Sequence, residues 1–287
     1  MSRAQDRMGF TMVEMMVAMV MAVAVGAGLV SLMLSQARTT SRQEAWRESR
    51  GAAQSGLNRM LSDLRMVETS AGVEAAAAGG QDITLRVPYA MGVMCSSVGG
   101  STVVNLLPVD SVAFNEPGFS GFAYRSATGV YTYVTAGTAV ALGGSATCTG
   151  AGVTLVPAID GSPAGTTVTL TGAVAPVPPV GSLVFMFRRI RYELKASVAA
   201  PGHTSLWRTV LATGSTEEIA TPLESTSRFE FYVNDATTAQ AAVPASLASI
   251  RGLQLELTGR SERVPSGATA RPQTALTTAV FFKNRPD

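Results

Sequence analysis

A single ionisable side chain inside a long apolar run is the feature of this chain that most plainly asks for a chemical reason. Glu14 is the only charge between Phe10 and Leu34, in the run FTMVEMMVAMVMAVAVGAGLVSLML. A carboxylate in hydrocarbon costs several kcal/mol, so such a residue marks either a function or a carboxyl near the interface that snorkels or takes up a proton. The two cysteines, Cys95 and Cys148, raise a second question. In an oxidising compartment they would close a loop of about 50 residues and stabilise the fold by roughly 4 kcal/mol; the alternative is two separate buried thiols.

The other reactive residue types argue against catalysis, and the chain is not expected to be an enzyme or to hold a cofactor. The one histidine, His203, sits in the turn-like Pro201-Gly202-His203-Thr204 with no ligand cluster around it, so no metal site is expected there. There is no G-x-S-x-G elbow, and Gly143-Gly144-Ser145 and Gly150-Ala151-Gly152 are followed by no lysine of a phosphate loop. Glu217-Glu218 and Asn234-Asp235 could offer oxygens to calcium, but they lack the spacing of an EF-hand and read as solvated turns. From residue 69 onward 14 Lys and Arg oppose 14 Asp and Glu. Apart from the cluster Arg188, Arg189 and Arg191, the sequence therefore gives no reason to expect nucleic acid as a partner.

These residues must be positioned by larger elements. The chain is 46% hydrophobic and 15% charged, apolar enough to suggest that part of it sits in lipid. The 25 residues Phe10 to Leu34 would form a helix of about 37 Å, enough to cross a hydrocarbon core of roughly 30 Å. Ahead of them the polar MSRAQDRMG carries Arg3 and Arg7 and is expected to stay cytoplasmic, although Arg38 and Arg42 flank the other side. No A-x-A cleavage context follows the run, as a secretory signal would require.

Residues 35 to 68 contain no proline, and Trp46, Ala53, Leu57, Met60, Leu61, Leu64 and Val67 recur at helical spacing. One unbroken helix from Phe10 to Glu68 is therefore expected, with an amphipathic stem as its second half. Gly26, Gly28, Gly51 and Gly56 each weaken it by about 1 kcal/mol and mark a bend, a segment that melts on assembly, or close packing through small residues. The stem arginines 38, 42, 47, 50, 59 and 65 alternate with Glu44, Glu48, Asp63 and Glu68, a pattern that predicts i,i+4 ion pairs on a solvated face.

Beyond Gly72 short β-prone runs are separated by Gly and Pro. Strict alternation in residues 189 to 195, at Phe229, Phe231 and Val233, and at Leu253, Leu255 and Leu257 predicts antiparallel strands with one buried face. The fold class is α+β: a long N-terminal helix packed against an antiparallel sheet. The stiff stretch from Ala173 to Pro179 is expected to separate two sub-sheets, and residues 92–181 read as an irregular insertion.

The string Gly9-Phe10-Thr11-Met12-Val13-Glu14, behind a short basic leader and ahead of an unbroken apolar helix, resembles the prepilin peptidase recognition site of type IV pilins and type II secretion pseudopilins. The resemblance implies a leader of residues 1–9, cleavage between Gly9 and Phe10, and N-methylation of the new Phe10 amine. A glycine at the cut suits a protease that must approach the backbone closely. Residues 10–34 would remain as a transmembrane and filament-core helix, 35–68 as the stem, and 69–287 as an extracytoplasmic head. In the family the residue matching Glu14 pairs with the N-terminal amine of a neighbouring subunit, which would set axial register.

The last hundred residues are similar, more loosely, to PilW-like minor pilins and J-type pseudopilins, through the order Arg191-Tyr192-Glu193-Leu194, Phe229-Glu230-Phe231-Tyr232, residues 249–257 and Phe281-Phe282-Lys283-Asn284-Arg285. The function so implied is that of a minor pilin acting in pilus assembly initiation or at the filament tip. A J-type pseudopilin of type II secretion, and a tip adhesin or DNA-uptake pilin, are the alternatives. Implied partners are prepilin peptidase, other pilin subunits through the N-terminal helix, an inner-membrane assembly platform, and membrane lipid before assembly. The implied location is the bacterial inner membrane, crossed once, with the head outside the cytoplasm.

Overall fold

The computed structural model of the chain describes residues 11–68, 71–98, 100–106, 108–114, 117–126, 131–135, 139–141, 147–148, 153–154, 167–172, 174–175 and 177–282. Helix α1, Met12–Leu64, has 53 residues and makes a rod of about 80 Å. From Met12 to Leu34 no described residue covers it, and every large apolar side chain there is at least 55% exposed. The second half buries Ala45, Ser49, Ala52, Ala53, Gly56, Leu57, Met60 and Leu64, a stripe stepped by three and four residues. Trp46, expected on that stripe, instead points to solvent at 53% exposure. The position facing the sheet is Ala45, because this face is built from small residues that let backbone approach backbone. A β-carbon added at Gly56 would stand 2.9 Å from Ala220 Cβ and 3.2 Å from Leu206 and Leu257. Gly56 is thus a close-packing residue, whereas among the described residues nothing beyond the helix's own backbone and flanking residues comes within 4 Å of such a carbon at Gly26, Gly28 or Gly51.

The head follows in the order β1 (Val73–Ala76), β2 (Asp82–Val98), β3 (Ser101–Leu106), α2 (Pro108–Phe114), β4 (Gly121–Arg125), β5 (Tyr131–Thr135), β6 (Ala139–Ala141), β7 (Thr147–Cys148), β8 (Val153–Thr154) and β9 (Thr167–Thr171). It continues with β10 (Leu183–Ala196), β11 (Thr204–Val210), β12 (Ser215–Leu223), β13 (Arg228–Val233), β14 (Ile250–Arg260) and β15 (Gln273–Phe281). Among the described residues 13 strands form one sheet, with the path β13-β14-β12-β11-β10-β2-β3-β9-β6; β7 pairs with β8 apart from it. Adjacent strands run antiparallel, as the alternating strands predict.

Two cores lie along this sheet. The larger packs Leu57, Met60 and Leu64 of α1 against Ile190, Tyr192, Leu194, Phe229, Phe231, Leu253, Leu255 and Leu257. The smaller gathers Met94, Val104, Phe122, Tyr124, Leu170 and Met186 away from the stem. The expected division into two sub-sheets is corrected accordingly: the hydrogen-bonded ladder is continuous. The 17 residues of β2 and the 14 of β10 run through both cores. The described parts of residues 92–181 include β3, α2, β4, β5 and β9, and Val104, Phe122, Tyr124, Val168 and Leu170 are fully buried. Central strands buried on both faces show no polar alternation, which is why β4, buried from Gly121 to Tyr124, carried no strand signal.

Candidate functional site

Thr11 and Glu14 close a capping box at the start of α1. The Thr11 side chain accepts from the Glu14 N–H at 3.2 Å, while the Glu14 carboxylate accepts from the Thr11 N–H at 2.9 Å and from its hydroxyl at 3.0 Å. Two of the amides that every helix leaves without an intrahelical acceptor are satisfied in this way. Gly9 and Phe10 lie outside the described residues, so the box begins at the second residue beyond the expected cut. Directly above it rises one helix near the N-terminus that is long and apolar enough to cross a membrane.

At the other end of α1 the stem is fastened to the head by polar contacts that sequence reading placed elsewhere. Asp63 accepts from the Tyr192 hydroxyl at 2.7 Å and from Arg208 Nε at 3.0 Å. Arg208 reaches on to Glu217 at 3.2 Å, and Glu217 lies 3.6 Å from Arg59. Lower on the stem, Glu48 accepts from the Ser261 hydroxyl at 2.7 Å, and Ser49 shares a hydrogen bond of 2.8 Å with Thr274. Burial and the Asp63 carboxylate push the Tyr192 phenol well above its ordinary range. Burial opposes the charge of Arg208, but Asp63 and Tyr192 more than offset it and raise its pKa. Tyr192 and Arg208 therefore keep their protons across any physiological pH, and this junction does not titrate through them. Among the described residues no ion pair joins two side chains of α1, in place of the i,i+4 pairs expected along the stem; Glu48, Arg59 and Asp63 contact the head instead.

Asp63→Ala is expected to destabilise the head by about 3 kcal/mol, because it strands a buried guanidinium and a buried phenol rather than merely removing one attraction. Thermal melting in mild detergent measures this. A melting temperature equal to that of the parent protein would show that the junction contributes nothing.

The chain matches no family model, no characterised protein and no solved structure.

The remaining residues singled out from sequence take structural places. Cys95, in β2, is disulfide-bonded, and the only other cysteine, Cys148, belongs to β7. Glu217 and Glu218 are not in a turn but in β12. The Glu218 carboxylate accepts from the Ser205 hydroxyl at 2.6 Å and from the N–H groups of Val198 and Ala199 at 3.3 and 3.2 Å. Burial works against its ionised form, but these donors and Ser197 outweigh it and lower the pKa. Glu218 thus secures the β10–β11 turn at neutral pH. Asn234 follows β13 at φ 49°, in keeping with a turn.

His203 Nε2 lies 2.9 Å from Arg271 Nη1. The cluster of three arginines is not a free basic patch, since Arg189 pairs with Glu74 at 2.6 Å, Arg191 with Asp82 and Glu193, and the Arg188 guanidinium stacks over Tyr89. Among the described residues no three His, Cys, Asp or Glu side chains converge as metal ligands. Sequence reading missed the Asp63, Tyr192 and Arg208 triad. The one available signal was Tyr192 itself, a phenol on the buried parity of a strand, which needs a hydrogen-bond partner.

Proposed function

We propose that the chain is a minor pilin of a type IV pilus, cut by prepilin peptidase between Gly9 and Phe10, methylated at Phe10, and inserted in the inner membrane with its head outside the cytoplasm. The observation that carries this reading is the division of labour along α1. Its first half is apolar on all sides and covered by no described residue, while its second half is the spine on which the β head is packed. An apolar helix half left uncovered in this way calls for lipid or other subunits. Beside that half stand the Gly9-Phe10 string and Glu14, whose carboxylate is free to exchange a local cap for an amine of a neighbour. The mechanism is mechanical: helices pack into a filament core, Glu14 sets the register, and the head makes the lateral contacts.

Sequencing the N-terminus of the protein purified from its own cells tests the reading. Methylated Phe10 is the expected first residue. An intact Met1, or a start beyond Leu34, would remove its basis.

A further inference from the structure

A cavity of about 290 Å³ opens beside the end of the stem, where residues following α1 meet β2, β4, β5, β10 and α2. It exists because two small buried residues, Ala90 and Ala123, lie among aromatic rings. Four of those rings stand in two tilted pairs: Tyr131 with Phe185, centroids 5.6 Å apart at 58°, and Tyr133 with Phe187, 5.5 Å apart at 57°. Tilted pairing is the arrangement aromatic quadrupoles prefer, so the walls are preorganised. Tyr133 is held further by donating its hydroxyl to Glu68 at 2.9 Å.

The side chains that line the cavity carry more negative charge than positive: Glu68 and Asp110 against Arg65, whose side chain is exposed at the helix end. Three further guanidinium groups, of Arg86, Arg125 and Arg188, act on the lining tyrosines Tyr133, Tyr131 and Tyr89. Aromatic faces attract positive charge, most strongly where water is excluded. The protein's own guanidinium groups already use this property on two of the lining rings: Arg86 lies 5.0 Å from the Tyr133 ring centre and Arg188 4.2 Å from that of Tyr89. Tyr89 is the residue that a bulge inserts between Pro88 and Ala90, which face Phe187 and Met186 across the ladder. Bulges of this kind re-aim side chains toward sites.

We propose that this cavity binds an organic cation, an alkylammonium or guanidinium group, held between the tyrosine and phenylalanine rings with Asp110 and Glu68 as counter-charges. Its source is either a small free cation or a side chain of a protein partner. Burial pushes the Asp110 carboxyl up, against the opposing hydrogen bond from the Met91 backbone. Binding therefore weakens as pH falls through this raised pKa, sooner than an ordinary aspartate would allow. The site is independent of the filament reading, and a filament subunit or any other membrane-anchored head could carry it.

The test is titration calorimetry on the full chain in maltoside micelles with three probes: choline, its neutral isostere 3,3-dimethylbutanol, and N-acetyl-arginine amide. At least one cation should bind about tenfold more tightly than the neutral alcohol. Tighter binding of choline assigns a free cation, and tighter binding of the arginine amide assigns a partner's side chain. Equal binding of all three probes, or no binding, overturns the proposal. Tyr131→Ala should weaken the preferred cation about tenfold. Asp110→Asn, which changes no volume and leaves the fold a fair test, should weaken it while leaving the alcohol unchanged. Parent-like cation affinity in Asp110→Asn also overturns it.

Discussion

Glu14→Ala is expected to be cut like the parent protein yet to be absent from sheared filaments. The reason is the size of the two effects that the carboxylate exerts. Within the chain it completes a capping box at an exposed helix end, and losing a cap costs about 1 kcal/mol, too little to unfold a helix of 53 residues. Against the amine of a neighbour in a water-poor filament core, the same carboxylate would neutralise a charge whose burial alone costs several kcal/mol. Thr11→Ala separates the two, since it removes half of the capping box and keeps the carboxylate. That variant should assemble. Quantifying each variant in the filament fraction by immunoblot, alongside N-terminal sequencing, gives the answer. Normal incorporation of Glu14→Ala would end the register argument, and failure of both variants would reassign the residue to capping.

Gly259→Ala should lower stability by about 3 kcal/mol, because a β-carbon there would run into the Ser49 carbonyl oxygen and stand 3.1 Å from the Ala53 nitrogen. Gly259 lies on β14 between Leu223 of β12 and Thr274 of β15, at the line where the stem touches the sheet. Backbone atoms of a helix cannot step aside as a flexible side chain can, so the whole stem must move outward. For a head of this size the melting temperature should fall by about 6 to 12 °C. Gly51→Ala is the opposing control: beyond the flanking residues and the helix's own backbone, no described atom lies within 4 Å of the added carbon, and the helix should gain roughly 1 kcal/mol. A Gly259→Ala protein that melts with the parent would mean that the stem is not seated on the sheet as described.

Several expectations came directly from spacing. Leu57, Met60 and Leu64 recur at helical steps and are buried in α1; Ile190, Tyr192 and Leu194 alternate and are buried in β10. Where both faces of a strand are covered, or charge interrupts it, spacing carries no such information. β4 is buried without alternation, and Glu217 and Glu218 disguise β12 as a turn. Trp46 misled for a related reason: helical period fixes an angle around the axis, but the closeness of the sheet chose Ala45 and Gly56 over a large neighbour.

By itself the amino-acid order determined that this protein carries a long apolar helix, that it passes into an amphipathic stem, and that alternating strands follow. Each of these depends on residues near in sequence, whose hydrophobic period is set by backbone geometry alone. Only the tertiary structure decided that the stem is fastened through Asp63, Tyr192 and Arg208, and that one continuous ladder spans two cores. It alone brought Ala90, Asp110, Ala123, Tyr131 and Phe185 around one cavity. Those groups are far apart along the chain, and nothing local to any of them specifies its partner. Strand register and the approach of helix to sheet bring them together.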